Sequence, residues 1–244
     1  MINSVKPNLI VSDSRGAWFR ATILFILALI GTVGMWSVVV FIPDIEKEFG
    51  LDRGTSSLLY AFTMIGFGFG TVVIGKVYDK FGIKKPILLA TFVLITSYYF
   101  YSIFPFYWQF LILQFFMGFA ASAFFGPAMA DISNFFNKQR GFALSIVASA
   151  NYVAGATWPL LIGYFLTFID WRAAHFWISM CLFIMIPLIL LLKNASVDES
   201  KFHDMKQRYK DIRLDLSNNQ IQVLLMLAGI CCLLYTSPSP RDRH

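Results

Sequence analysis

The sequence has 244 residues, of which 57% are hydrophobic, 17% aromatic and only 14% charged, with a formal net charge of +6. Soluble domains carry about 25% charged residues, so the composition excludes an ordinary soluble domain and indicates a protein that crosses the membrane several times. The basic residues are scattered over short polar links and form no continuous basic face, which argues against a nucleic-acid-binding protein.

Six apolar runs are each about long enough to cross a hydrocarbon core of roughly 30 Å as a helix. The runs cover residues 21–42, 55–74, 86–104, 107–130, 142–168 and 174–192. Pro43 is expected to end the first run, because proline disrupts the interior of a helix. The sequence therefore predicts an all-α membrane protein with a six-helix transmembrane bundle over residues 21–192.

Polar segments flank this predicted bundle on both sides. Residues 1–20 are predicted to form an N-terminal arm and residues 193–220 a polar linker. A new apolar run at 221–235 is too short to cross the membrane and is expected to be the start of a seventh span. Residues 236–244 resemble a cloning or assembly junction, so the chain is expected to be truncated inside that span.

The distribution of lysine and arginine predicts the orientation in the membrane. Fifteen basic residues fall on the side of the arm and the linker, and only Lys47, Arg53 and Arg172 fall on the other side. Because loops rich in Lys and Arg stay in the cytoplasm, the N terminus and the linker are predicted to be cytoplasmic.

The link between the second and third runs carries a spaced set of glycines and charged residues. This set consists of Gly75, Asp79, Lys80, Gly82, Lys84 and Lys85. It meets every fixed position of the pattern G-x-x-x-D-[RK]-x-G-x-[RK]-[RK], and the chain therefore resembles the major facilitator superfamily of secondary transporters. An ordinary positively charged loop would explain the lysines but not the spacing of the glycines and the aspartate.

A weak internal repeat is consistent with that resemblance. Arg53-Gly54 opens the second run, and Arg140-Gly141 opens the fifth run 87 residues later. Gly68 and Gly155 are separated by the same 87 residues. The resemblance implies two inverted three-helix repeats that together form the N-terminal half of the transporter fold.

Small residues at helical spacing predict close packing between spans. They lie on the second, fourth and fifth runs: Gly66 and Gly70; Gly118, Ser122, Gly126 and Ala130; Gly141, Ser145 and Ser149. Such stripes are more typical of helix-packing seams than of ligand sites.

The resemblance implies a multi-pass transporter of a small solute rather than an enzyme, and a substrate path between two halves of the protein. Five polar or aromatic residues inside the runs are candidates for that path: Trp36, Gln114, Asn151, Tyr152 and Thr157. Each could equally form a hydrogen bond to a neighbouring helix. Cys181, Cys231 and Cys232 lie in apolar runs without metal-ligand spacing, so no metal or cofactor is predicted.

A second charged group is expected at the cytoplasmic ends of the fourth and fifth runs. Asp131 and Arg140 lie there, and related transporters carry an acidic and a basic residue at similar places. The resemblance implies that they form one gating cluster with Asp79 and Lys80 of the charged link.

The resemblance gives only a weak indication of the substrate. Residues 135–143 faintly resemble the monocarboxylate-transporter branch, and the fifth run lacks the paired glycines of antiporters. The sequence therefore favours uniport or symport of a small organic anion such as a monocarboxylate, with a proton as the coupled ion. A neutral or amphiphilic substrate stays open, as does a six-span scaffold or receptor. The fragment itself, without its second half, is expected to be inactive.

Overall fold

The computed structural model describes residues 13–192, together with Gln220, Leu224 and Leu227. Most of the predicted arm, the linker, the seventh span and the tail lie outside the described residues. The chain divides into two compact units, Met1–Val197 and Asp198–His244. In the second unit the three described residues are helical and exposed.

The described part of the first unit is all-α. Its elements are α1 (Arg15–Gly31), α2 (Val33–Phe49), α3 (Arg53–Phe81), α4 (Lys84–Ile103), α5 (Tyr107–Ala121), a 3₁₀ turn (Ser122–Phe124), α6 (Gly126–Phe135), α7 (Arg140–Phe165), α8 (Trp171–Leu182) and α9 (Met185–Leu191). Among the described residues, six helical stretches are long and apolar enough to cross a membrane. They are α1 with α2, α3, α4, α5 with α6, α7, and α8 with α9, here called spans one to six. The predicted six-span bundle is confirmed.

The helices extend beyond the apolar runs at several ends. The first span begins at Arg15, within the predicted arm, and α2 continues through Pro43 to Phe49. A membrane helix tolerates proline because its neighbours and small local adjustments satisfy the freed backbone groups. The expectation that Pro43 ends the first helix is therefore wrong, and the acidic residues that follow it are helical.

The contacts between spans follow an inverted two-fold pattern. Span two packs on span four, and its counterpart, span five, packs on span one. Span two also contacts span one, and span five contacts span four in the same way. Spans three and six, the last of each repeat, pack on one another through α4 and α8. Exchanging the first three spans for the last three reproduces most of these neighbours, as expected for two inverted three-helix repeats. The exception is the contact of spans two and three, which has no counterpart of similar extent between spans five and six.

The most extensive contact joins α3 to α5, and it depends on glycines that let the two backbones approach closely. A Cβ at Gly66 would overlap the carbonyl oxygen of Phe115, and one at Gly118 would overlap that of Thr63. A Cβ at Gly70 would come within 2.6 Å of the Phe119 carbonyl oxygen. The predicted seam is confirmed at these three positions, whereas Gly126 and Gly141 have nothing within 4 Å of the Cβ position.

Candidate functional site

Spans one and four are both interrupted, and the two interruptions are in contact. Thr32 separates α1 from α2, and the 3₁₀ turn Ser122–Phe124 separates α5 from α6. Gly31 lies so close to Phe124 that a Cβ would overlap the aromatic ring. These two spans are the first helices of their repeats, so the interruptions lie at related places in the inverted arrangement.

Span five is joined to this region by Trp36 of α2. The indole N–H of Trp36 donates to Oδ1 of Asn151 over 3.1 Å. Gly155, one turn further along α7, allows this approach, because a Cβ there would lie 3.0 Å from the Trp36 ring. An indole nitrogen can only donate, so this bond fixes the amide of Asn151 with its NH₂ group directed away from Trp36.

A second tryptophan joins the same two spans. The indole N–H of Trp158 donates to the backbone carbonyl of Leu29 over 2.8 Å, two residues before the end of α1. We call the set Trp36, Phe124, Asn151, Gly155 and Trp158 the aromatic junction. Among the described residues, neither of the two ion pairs lies in it. The junction therefore combines aromatic side chains with one further donor, the Asn151 amide NH₂, and contains no formally charged residue.

The other predicted path residues lie in different settings. Gln114 is buried, and its side chain accepts from the Thr63 hydroxyl over 2.9 Å and donates to the Tyr101 hydroxyl over 3.4 Å. It thus joins spans two, three and four, which is the helix-packing alternative left open by the sequence. Thr157 bonds to the Val153 carbonyl of its own helix, and Tyr152 is 72% exposed. The structure brings together only Trp36 and Asn151 of the five.

A buried ion pair joins spans one and four at the end of the bundle where the first span begins, here called the N-terminal end. Arg20 donates from Nε and Nη2 to the two carboxylate oxygens of Asp131, over 2.6 and 2.9 Å. Both side chains are less than a tenth exposed. The Arg20 guanidinium also lies 4.6 Å from the centroid of the Phe135 ring. The sequence assigned Arg20 to the arm and missed this bond.

This pair corrects the expected charged cluster. Asp131 is bonded to Arg20, whereas Arg140 is exposed at the start of α7. Asp79 and Lys80 are helical and exposed at the end of α3, and neither is in an ion pair among the described residues. The structure therefore does not join Asp79, Lys80, Asp131 and Arg140 into one network.

The turn of the charged link is shorter than predicted. Only Gly82 and Ile83 separate α3 from α4, so Gly75, Asp79 and Lys80 are helical in α3, and Lys84 and Lys85 open α4. Gly82 has φ +73°, a conformation that side chains rarely adopt, which explains the need for glycine there. Gly75 has nothing within 4 Å of its Cβ position, so close backbone approach is not its role in this structure.

Asp13 ties the start of the first span to the link between spans four and five. Its carboxylate accepts backbone N–H bonds from Asn137, Lys138 and Gln139 at 3.2 to 3.3 Å. The bond from the Lys138 N–H is the main reason that the pKa of the Asp13 carboxyl lies below its ordinary value. A lowered pKa means that the tie stabilises the structure above the unfolded-state pKa and is lost as the pH falls through the folded-state pKa.

Asp13→Ala should therefore loosen this link at neutral pH. The three amides at 137–139 lose their acceptor, so their hydrogen–deuterium exchange should accelerate. Asp170→Ala is the matched control, because Asp170 is an exposed carboxylate before α8 whose side chain makes no capping bond. Equal exchange at 137–139 in wild type and Asp13→Ala would contradict the tie.

The opposite end of the bundle has its own charged cluster, which the sequence did not indicate. Glu48 of α2 accepts from Arg172 Nη2 over 2.7 Å and from the Trp171 indole over 2.8 Å. Arg172 also donates to the Phe104 carbonyl over 2.8 Å. These bonds connect the ends of spans one and three to the start of span six, and Glu48 makes them from the last turn of α2, beyond Pro43.

No group of three or more His, Cys, Asp or Glu side chains that could hold a metal ion occurs within the described part of the chain. Of the cysteines, Cys181 is described; it is an unpaired, exposed thiol on α8.

Six spans arranged as inverted three-helix repeats, with contacting interruptions in spans one and four, define the architecture of one half of a secondary transporter. The sequence profile of the Major Facilitator Superfamily matches residues 24–240. The chain belongs to this superfamily of membrane transporters.

Curated relatives include transporters from fungi and bacteria. The chain is 28% identical to the MFS-type transporter pynF of Aspergillus niger over 70% of its own length and 40% of that protein. It is 26% identical to the Agnestins efflux protein AgnL12 of Paecilomyces divaricatus, over 62% of the chain and 35% of the relative. It is 23% identical to the inner membrane transport protein YnfM of Escherichia coli, over 69% and 41%. The chain thus spans less than half the length of each of these relatives.

Proposed function

We propose that the chain forms one half of a secondary transporter that moves a small organic solute by alternating access. The observation that carries the proposal is the aromatic junction, where the interrupted spans one and four meet span five. Transporters of this architecture place substrate sites near the bilayer midplane, at interrupted helices between two halves. The aromatic junction would then be the N-terminal part of the substrate site, and a second six-helix half would complete it.

The chemistry of the junction supports a substrate with hydrogen-bond acceptors. Because Trp36 holds the Oδ1 atom of Asn151, the amide NH₂ is the part left to donate to a ligand. Donors without a formal charge suit a carboxylate or a carbonyl oxygen, provided that the second half supplies a cation to a carboxylate. We therefore propose a small organic anion, with a neutral amphiphilic solute as the alternative. The relatives give no support to a monocarboxylate branch in particular.

Two modes of transport are candidates, one argued from the sequence of span five and one from the names of relatives. The fifth span departs from the antiporter pattern, which favours uniport or symport, with a proton as the coupled ion. Two relatives are named as efflux proteins, the Agnestins efflux protein and the Fujikurins efflux protein of Gibberella fujikuroi. Their names favour export as the second candidate.

For gating, we propose different roles for the charged residues at the N-terminal end. Arg20 and Asp131 would keep spans one and four together as one rigid body during the transport cycle, since their bond is buried. Asp79 and Arg140 are exposed, so they would contact the second half and separate from it as the gate opens. With Gly75, Gly82 and Lys84 they would form the gate, and Lys80 and Lys85 would lie beside it.

Replacing Asn151 by alanine in the complete protein tests the substrate site. After reconstitution into liposomes, uptake of labelled organic acids and neutral amphiphiles is measured with and without a proton gradient. Loss of one hydrogen bond to a charged ligand costs about 1.5–3 kcal/mol, so Asn151→Ala should raise KM about tenfold or more for the transported solute.

Thr157→Val is the matched control, since Thr157 lies on the same helix and bonds to its own backbone. We expect its KM to stay within about twofold of the wild-type value. An equal effect of both substitutions would remove the aromatic junction from the substrate path. A complete protein that shows no saturable uptake of any solute would overturn transport itself and favour a scaffold or receptor.

A further inference from the structure

A basic patch lies where spans two and three meet at the N-terminal end of the bundle. It is formed by Lys76 and Lys80 of α3, Phe81 at the end of α3, and Lys85 of α4. All four residues are exposed, and the three lysines are in no ion pair among the described residues. The patch therefore carries three positive charges, which exceed the single negative charge of the neighbouring, exposed Asp79.

Two of these cations lie next to the Phe81 ring. The Lys85 Nζ lies 4.3 Å and the Lys80 Nζ 5.3 Å from the centroid of this ring, which is itself 47% exposed. Each ammonium is attracted to the ring, but two like charges around one ring repel each other. A bound anion would offset this repulsion. Lys80, Phe81 and Lys85 thus form a cationic site that suits an anionic headgroup.

An apolar strip continues from this charged end along α4. Leu88 and Leu89 follow Lys85 at helical spacings of three and four, so they lie on the same face. They are 45% and 52% exposed, and Phe92, the next residue on this face, is 64% exposed. Cations at the end of a span above an exposed apolar strip match an amphiphile with an anionic head and a hydrocarbon chain.

We propose that the basic patch is a binding site for an anionic phospholipid of the surrounding leaflet. The phosphate would lie between Lys80 and Lys85, Phe81 would lie at headgroup depth, and an acyl chain would follow Leu88 and Leu89. Aromatic residues and lysines are favoured at this depth of a membrane, and basic clusters beside a span attract anionic headgroups. A soluble polyanion such as RNA would make no use of the apolar strip, so the strip favours the lipid.

The experiment compares the chain in nanodiscs or detergent with phosphatidylcholine and phosphatidylglycerol. Lipid binding is measured by native mass spectrometry and by titration with phosphatidylglycerol. Lys80→Gln with Lys85→Gln should weaken phosphatidylglycerol binding about thirtyfold, or about 2 kcal/mol, and leave phosphatidylcholine binding unchanged, since both lysines attract an anionic headgroup. Phe81→Ala should weaken it less, and Lys80→Arg with Lys85→Arg should retain it.

Lys138→Gln with Arg140→Gln is the matched control, because it removes the same charge from exposed residues at the same end of the bundle. This pair should bind phosphatidylglycerol within about twofold of wild type. Equal weakening by both pairs would mean general attraction to a basic surface and would overturn the site. Undiminished binding by the Lys80 and Lys85 pair would also overturn it, as would equal binding of soluble glycerol phosphate. Retention by the arginine pair separates a charge effect from misfolding.

Discussion

Asp131→Ala should be among the most destabilising single substitutions in the described bundle. It would leave the Arg20 guanidinium buried in the first span without its carboxylate, at a site that is 4% exposed. Removing one partner of a buried ion pair costs about 3–5 kcal/mol, because the other charge loses the carboxylate that it faces. The free energy of unfolding, measured by denaturant titration of the purified chain in detergent micelles, should fall by that amount.

Two further variants separate the pair from a general effect of charge. Glu48→Ala breaks the bonds from Arg172 and from the Trp171 indole at the opposite end, where the Arg172 and Glu48 side chains are 25% and 38% exposed, and should cost only about 1–2 kcal/mol. Arg20→Met combined with Asp131→Leu removes both charges and should restore most of the stability lost in Asp131→Ala. Similar losses from Asp131→Ala and Glu48→Ala would show that burial does not make the first pair special.

The number of spans could be predicted because the membrane imposes a strong constraint. Without water in the bilayer core, the backbone must satisfy its own hydrogen bonds, so each long apolar run becomes a helix. The ends of the helices follow a different rule. Arg20 and Asp131 are 111 residues apart in sequence, and each lies one residue outside an apolar run. Their bond compensates both charges, so the helices include residues that the apolar runs leave out. No local pattern indicates such a partner.

The absence of a local signal for distant partners also explains why only Trp36 and Asn151 of the five path candidates come together. A glutamine and an asparagine inside apolar runs give equivalent signals, since either could bond to a neighbouring helix or to a ligand. The structure separates them by their neighbours: Gln114 is enclosed by Thr63 and Tyr101, whereas Asn151 has its orientation set by Trp36. Trp158 was missed because its bond is to a backbone carbonyl, which no side-chain pattern reveals.

The inverted repeat is the feature in which sequence and structure reinforce each other. The offset between Gly68 and Gly155 suggested two related halves, yet their surroundings differ, because Gly68 has nothing within 4 Å of its Cβ position and Gly155 lies against Trp36. The symmetry is conserved in the order of helix contacts and lost in the side chains. Span five could thus acquire a tryptophan contact at a position where span two has none.

Gly118→Ala should disrupt the packing of span four on span two. A Cβ there would overlap the Thr63 carbonyl, which is backbone and cannot rotate away, so the two helices must separate. Membrane helices associate through such close contacts, and overpacking typically costs about 1–3 kcal/mol or more. We expect a loss of at least about 2 kcal/mol in the free energy of unfolding, measured in the same micelles.

Gly68→Ala provides a control of opposite sign. Gly68 lies in the middle of α3, and its Cβ position has nothing within 4 Å. Alanine there only restricts the unfolded chain, so it should stabilise the protein by about 0.4–1 kcal/mol. A neutral Gly118→Ala would show that the α3–α5 contact can shift without cost. It would favour this seam as a sliding surface of the transport cycle over a fixed one, because the two spans would then have a second packing of nearly equal energy.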